Sequence, residues 1–123
     1  MTIDKAINTA DALKPNKYDY NIKVEWLSNL DKMITDQIIR KHEDTKDFVF
    51  EGYTEDADPA TELLVPEPFS EMYIPYLHSK MDLFNQDYNR YNSSTAAYYT
   101  AYSNYAQYYN REHEPIRQGI KII

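Results

Sequence analysis

Residues 69–111 have the sequence FSEMYIPYLHSKMDLFNQDYNRYNSSTAAYYTAYSNYAQYYNR, along which a single seam keeps helical spacing. The steps alternate between three and four residues without a slip, through Ile74, Leu77, Met81, Phe84, Tyr88, Tyr91, Thr95, Tyr98, Tyr102, Tyr105 and Tyr109. An average period of about 3.5 residues is typical of a long helix packed against other helices. We favour one helix over about 69–111, because the phase is kept. The alternative is two helices hinged at Asn92–Ser94, with Ser93 or Ser94 as the new N-cap.

Two shorter helices are predicted upstream of this seam. Thr2 can cap a helix over about 3–14. Its apolar face consists of residues three and four apart: Ile3, Ala6, Ile7, Ala10 and Leu13. Asp19 can cap a second helix over about 20–41, whose inward residues are Ile22, Trp26, Leu27, Leu30, Met33, Ile34 and Ile38. We expect its polar residues to face water: Lys23, Asp31, Lys32 and Asp36. The prediction is a single all-α domain, a small helical bundle over residues 1–123.

The connection between the second helix and the seam, residues 42–68, has no helical period and is called the acidic loop below. Residues 43–71 contain ten acidic residues and one basic residue, so they carry a formal charge of −9 and the rest of the chain carries +2. The loop is either a functional surface or a solvated linker without a partner. Alternation in Phe48–Phe50 predicts a short strand, whereas Leu63–Val65 should hold the loop against the helices. Residues 114–123 are predicted to form an extended C-terminal arm.

The residue types that carry most enzyme chemistry are absent or unsuitably spaced. The chain has no Cys and only two Gly, which excludes thiolate sites and Gly-rich phosphate loops. The chain has three His, at least 35 positions apart: His42, His78 and His113. We expect solvated His residues at helix ends, with His42 and His113 near predicted helix C-termini. Counted as an EF-hand loop from Asp56, the segment has Glu67 at position twelve but Thr61 where position six requires Gly. We therefore predict a protein that is not an enzyme, with no catalytic, cofactor or metal site.

The charge balance and hydropathy of the chain argue against two classes of partner, nucleic acids and membranes. A net charge of −7 without a basic patch argues against binding to nucleic acid, because that affinity comes from Lys and Arg on phosphates. No apolar run approaches the roughly 20 residues that a bilayer span needs, and no leader pattern is visible. We expect a soluble, unexported protein that does not contact a membrane.

Tyrosine is concentrated at the end of the seam. Eight of the thirteen Tyr lie between residues 88 and 109, and residues 92–110 contain no charged residue. One interpretation is that four of them cover the domain's own core: Tyr98, Tyr102, Tyr105 and Tyr109. However, a helix that is neutral nearly all round is normally buried on more than one side. We therefore predict a subunit interface formed by Tyr98, Tyr99, Tyr102, Tyr105, Tyr108 and Tyr109, and a partner-binding arm formed by Ile120, Ile122 and Ile123.

Five motifs span nearly the whole chain: LKPN at 13–16, EWLSNLD at 25–31, FEGYT at 50–54, ELLVP at 62–66, and YNRYN at 88–92 followed by the Tyr-rich helix. In this order they resemble the head–tail connector (adaptor) proteins of tailed bacteriophages and prophages of Gram-positive bacteria. The resemblance implies a virion protein, assembled in the host cytoplasm, that forms a ring of about a dozen copies on the portal and contacts the next neck protein. Two alternatives stay open: another neck or head-completion protein, such as a stopper or tail-joining factor, and a non-phage cytoplasmic helical interaction module.

Overall fold

The structure is a computed structural model that describes residues 1–116. Its α-helices are α1 (Ile3–Leu13), α2 (Tyr20–Gln37), α3 (Tyr73–Phe84) and α4 (Tyr88–Glu112). Short 3-10 turns occur at Ile39–Lys41, Glu43–Thr45 and Phe69–Met72. The predicted all-α class is confirmed, and no strand occurs within residues 1–116.

Helix α1 begins and ends close to the predicted residues. The Thr2 side chain accepts a hydrogen bond from the Lys5 N–H at 3.0 Å, as an N-cap does. The predicted apolar face is buried except for Leu13, which is 68% exposed. The helix ends at Leu13 and the chain turns away at Lys14, so this last position receives no cover.

Helix α2 is shorter than predicted and is covered on two sides. The chain leaves helical geometry at Ile38, and one 3-10 turn replaces the predicted last turn. Ile22 is exposed, so the expectation that it points inward is wrong. The expectation that Lys23 and Asp31 face water is also wrong, because α1 and the acidic loop cover this second side. Lys23 Nζ lies 2.8 Å from Asp11 of α1.

The long seam forms two helices, so our preference for a single helix is wrong. The break lies at residues 85–87 and not at Asn92–Ser94, which are inside α4. Gln86 adopts a left-handed φ of 59°, and the Asp87 side chain caps α4 by accepting from the Arg90 N–H at 3.2 Å. The two helices fold back on each other, with the Tyr76 and Tyr98 rings 5.2 Å apart. The phase survives the turn because the seams of α3 and α4 face each other.

The acidic loop is irregular but anchored to the helices. Phe48–Phe50 does not form the predicted strand, because no neighbouring segment pairs with it among residues 1–116. Leu63 and Val65 are buried, and the Leu63 N–H donates to the Met1 carbonyl at 2.9 Å. Gly52 has a φ of +99°, and a Cβ there would come within 2.7 Å of a Ser28 side chain. The loop therefore needs glycine where it crosses α2.

The start of the C-terminal arm runs antiparallel to the segment that follows α2. Pro115 bridges to His42, and the Glu43 N–H donates to the Glu114 carbonyl at 2.9 Å. The predicted partner-binding residues lie outside the described part of the chain: Ile120, Ile122 and Ile123.

Candidate interaction surface

The side of α4 that faces away from the core is exposed and uncharged. This surface, called the outer face of α4, consists of Ala96, Ala97, Tyr99, Thr100, Ser103, Asn104 and Gln107. The helix has 25 residues and is therefore about 37 Å long. Tyr99, the one aromatic residue of this surface, is 60% exposed. It lies between small side chains that allow another backbone to approach. The outer face of α4 thus offers a neutral contact surface.

The predicted interface tyrosines divide into three groups. Tyr98, Tyr105 and Tyr109 are buried in the domain's own core, so these three do not form an exposed contact surface. Tyr102 and Tyr108 are half-buried, and the Tyr102 hydroxyl donates to Gln37 Oε1 of α2. Only Tyr99 is exposed. The seam positions therefore serve the monomer. Of the two tyrosines outside the seam, Tyr108 packs on Phe69, and Tyr99 is left for a partner.

The buried tyrosines keep their protons well above neutral pH. Burial raises the pKa of Tyr76 to about 12, and burial also raises the pKa of Tyr98 and Tyr105. Their hydroxyls are therefore protonated at neutral pH and can donate hydrogen bonds.

A groove of about 540 Å³ runs between α2, α3 and α4 and is called the Tyr groove. Its walls carry five tyrosines: Tyr76, Tyr91, Tyr98, Tyr99 and Tyr102. Among the described residues that line it, Lys80 is the only charged one, and its Nζ lies 5.5 Å from the centre of the Tyr76 ring. Thr95 Oγ1 is buried in the same groove without a hydrogen-bond partner among residues 1–116. The groove combines aromatic walls with one cation.

The acidic loop is fixed by a buried carboxylate, Asp31, which was predicted to face water. Asp31 of α2 is fully buried and accepts hydrogen bonds from the hydroxyls of Tyr53 and Tyr73 and from the Leu64 N–H. The Tyr73 hydroxyl in turn accepts from the Val65 N–H at 2.9 Å. Within the described part of the chain, no lysine or arginine forms an ion pair with Asp31. One carboxylate therefore ties α2, α3 and the acidic loop together.

One signal in the sequence could have found this site. Val24, Ser28, Asp31 and Thr35 are four, three and four residues apart, so they form a second stripe along α2. All four are buried, and the Ser28 hydroxyl accepts from the Tyr53 N–H at 2.9 Å. A stripe of small polar and apolar residues beside a fully apolar stripe indicates a helix that is covered by other elements on two sides.

The stability of the fold should depend on pH through Asp31. Burial raises the pKa of Asp31, although the bonds from Tyr53 and Tyr73 oppose the shift. The folded state then holds the proton more tightly than the unfolded state, so this residue's contribution falls as pH rises from the ordinary aspartate pKa of 3.8 towards the raised value. We expect the free energy of unfolding of wild type, minus that of Asp31→Asn, to decrease across this interval.

Urea unfolding at a series of pH values measures this difference, and the Asn variant serves as the reference that lacks the titrating group. A difference that grows with rising pH would show that the hydrogen bonds outweigh burial.

Each histidine contacts a neighbouring part of the fold. His78 lies within α3 and is half-buried, with Nε2 3.0 Å from the Ala10 carbonyl, so it is not solvated at a helix end. His42 is buried, which contradicts the expectation of a solvated residue, because its ring nitrogens lie 2.7 Å from the Ile38 carbonyl and from Asn110 Oδ1. His113 stacks on Tyr109 and contacts Asp44 at 2.6 Å. Among the described residues, no group of three His, Asp or Glu side chains is placed to hold a metal ion. His42 and His113 pack the end of α4 against the segment that follows α2.

No helix among residues 1–116 has the length and apolar character required to cross a bilayer. Comparison of the chain with protein-family models, curated proteins and solved structures finds no match. The exposed surfaces themselves are therefore the basis for inferring function.

Proposed function

We propose that this protein is a structural protein of a phage or prophage virion, a head–tail connector subunit that assembles as a ring on the portal. It would be built into the virion in the host cytoplasm and would have no catalytic role. The outer face of α4 is the observation that carries the proposal. It is exposed, uncharged and rich in small side chains around one exposed tyrosine. Interface cores are depleted in charged residues and enriched in tyrosine.

The acidic loop gives the ring a second property. Its carboxylates are exposed on a segment that Asp31 and Ser28 hold in place. Fixed negative charge repels the phosphate backbone, so such a surface beside a DNA channel would prevent DNA from adhering to the wall. A ring that passes DNA onward needs this property.

The motifs behind the resemblance also meet in space. EWLSNLD supplies Asp31, FEGYT supplies Tyr53 and ELLVP supplies Leu64, and these three residues are joined by hydrogen bonds. LKPN supplies Lys14, which pairs with Asp82 of α3. The resemblance thus rests on residues that build one core, which supports a shared fold as the basis of the proposed role.

Negative charge on the outer face of α4 should abolish assembly and leave the fold intact. In the variant Ala97→Glu/Thr100→Glu, two exposed small side chains become carboxylates that a close contact would have to desolvate, at a cost of several kcal/mol. We expect the variant to unfold like wild type but not to bind the portal protein of the same phage. Sedimentation and electron microscopy of the mixture measure binding, and circular dichroism measures folding.

The matched control is Asn8→Glu, which adds charge at an exposed position of α1. Equal portal binding by wild type and the α4 variant would contradict the proposed interface. A wild-type chain that bound a tail-side neck protein but not the portal would favour a stopper or tail-joining factor. A chain with no phage partner at all would favour the cytoplasmic module.

A further inference from the structure

We infer that the Tyr groove of one copy receives the tip of the acidic loop, residues 55–60, of a second copy. The inference rests on the proposed function, because a ring requires contacts between two different surfaces of each subunit. It goes further by naming both surfaces and the chemistry that joins them.

The groove is suited to a carboxylate. Lys80 is its one charged residue among those described, and tyrosine hydroxyls supply further donors at neutral pH. The protein already uses this chemistry inside its fold, where the hydroxyls of Tyr53 and Tyr73 both donate to the Asp31 carboxylate. A carboxylate that enters the groove would meet the same kind of donor together with a cation.

The loop tip carries the complementary groups. Glu55, Asp56 and Asp58 are exposed, and Pro59 and Ala60 beside them offer exposed apolar surface. Proline rings pack well on aromatic faces, which is how tyrosine-lined grooves bind extended proline-containing segments. The tip therefore matches both the cation and the aromatic walls of the groove.

The loop tip is also held in one conformation before any contact forms. Asp58 Oδ1 accepts from the Ala60 N–H at 2.9 Å, and the Pro59 carbonyl accepts from the Asp4 N–H of α1 at 3.0 Å. Little conformational entropy remains to be lost on docking, so a small contact can be sufficient.

The two surfaces lie on different sides of the molecule. Met33 and Gln37 of α2 line the groove, whereas Ser28 holds the loop. At about 100° per residue, Ser28 and Met33 point about 140° apart around the helix axis. The Pro59 carbonyl holds the tip on α1, whereas the groove lies between α2, α3 and α4, so one copy does not fill its own groove. A contact between two copies leaves a free groove at one end and a free loop tip at the other. Repetition of this contact propagates a chain or closes a ring.

Charge exchange tests the contact in the full-length chain. Lys80→Glu places a negative groove against the acidic tip, and Glu55→Lys/Asp56→Lys places a positive tip against Lys80. We expect each variant alone to self-associate about tenfold or more weakly than wild type in sedimentation velocity. An equal mixture should regain association, because each groove then finds a tip of opposite charge on the other variant.

Lys17→Glu, an exposed change of the same sign in the segment before α2, is the control and should behave as wild type. A wild-type chain that remains monomeric up to about millimolar concentration would overturn the inference, as would undiminished association of either variant or a mixture that fails to recover. Portal binding is measured separately. A wild-type chain that binds the portal but never self-associates would rule out this contact and leave the proposed function standing.

Discussion

Asp31→Ala is expected to lower the free energy of unfolding by about 3–5 kcal/mol, because it leaves one buried and two half-buried donors without an acceptor. The donors are the hydroxyls of Tyr53 and Tyr73 and the Leu64 N–H. Each unsatisfied donor costs roughly 1–3 kcal/mol, and removal of a buried charge offsets part of the sum. Urea unfolding followed by far-ultraviolet circular dichroism measures the loss.

Two further variants test this explanation of the Asp31 effect. Asp36→Ala removes an exposed carboxylate from the same helix and should change stability by less than about 0.5 kcal/mol. Asp31→Asn keeps the volume and one acceptor oxygen, so its cost should be intermediate, about 1–3 kcal/mol. An Asp31→Ala variant as stable as Asp36→Ala would mean that the acidic loop is not held by this carboxylate.

A helix could be predicted from sequence where its periodic pattern was compatible with only one structure. Thr2 and the face from Ile3 to Ala10 fix α1 by capping and by spacing, and both signals are local. The seam of α3 and α4 was compatible with two structures. A period near 3.5 residues fits one long helix and equally fits two helices that pack on each other. The turn at residues 85–87 depends on the left-handed Gln86 and on the Asp87 cap, which are weaker signals than the seam.

Buried charges could not be predicted because their partners come from distant positions. Lys23 is covered only because Asp11 of α1 reaches it, and Asp31 only because two tyrosines far along the chain donate to it. A polar residue on a helix is expected to face water unless a second element covers it, and the cover is a tertiary property. The acidic loop is that cover for Asp31.

The candidate surface could be predicted only in part, because its lack of charge is a property of the sequence, whereas its exposed residues depend on packing. The absence of charge between residues 92 and 110 is a property of the sequence, and it predicts the neutral outer face of α4. Which tyrosines face out depends on packing, so three of the six predicted interface residues lie inside the monomer instead. The Tyr groove exists only because α3 and α4 fold back beside α2, and no local pattern encodes it.

Lys14 and Asp82 form one ion pair, but replacing Lys14 should lower the free energy of unfolding much more than replacing Asp82. Lys14 Nζ lies 2.6 and 2.7 Å from the two oxygens of Asp82, and the Ser94 hydroxyl donates to the same carboxylate at 2.6 Å. The Asp82 side chain is 2% exposed, whereas the Lys14 side chain is 21% exposed. Lys14→Met should therefore cost about 3–5 kcal/mol, because it leaves a buried carboxylate without its cation.

Asp82→Asn should cost only about 1–2 kcal/mol, because the partly exposed Lys14 ammonium can turn towards water and the new amide oxygen can still accept from the Ser94 hydroxyl. Combining both changes should cost less than their sum, since the double variant no longer buries an unpaired charge. Urea unfolding of all four proteins completes the cycle, and Lys17→Met, an exposed lysine three positions from Lys14, is the control with an effect below about 0.5 kcal/mol. Equal costs for the two single variants would mean that Asp82 reaches water in the absence of Lys14. In that case the contact joining α1, α3 and α4 would be a surface ion pair of little energetic weight.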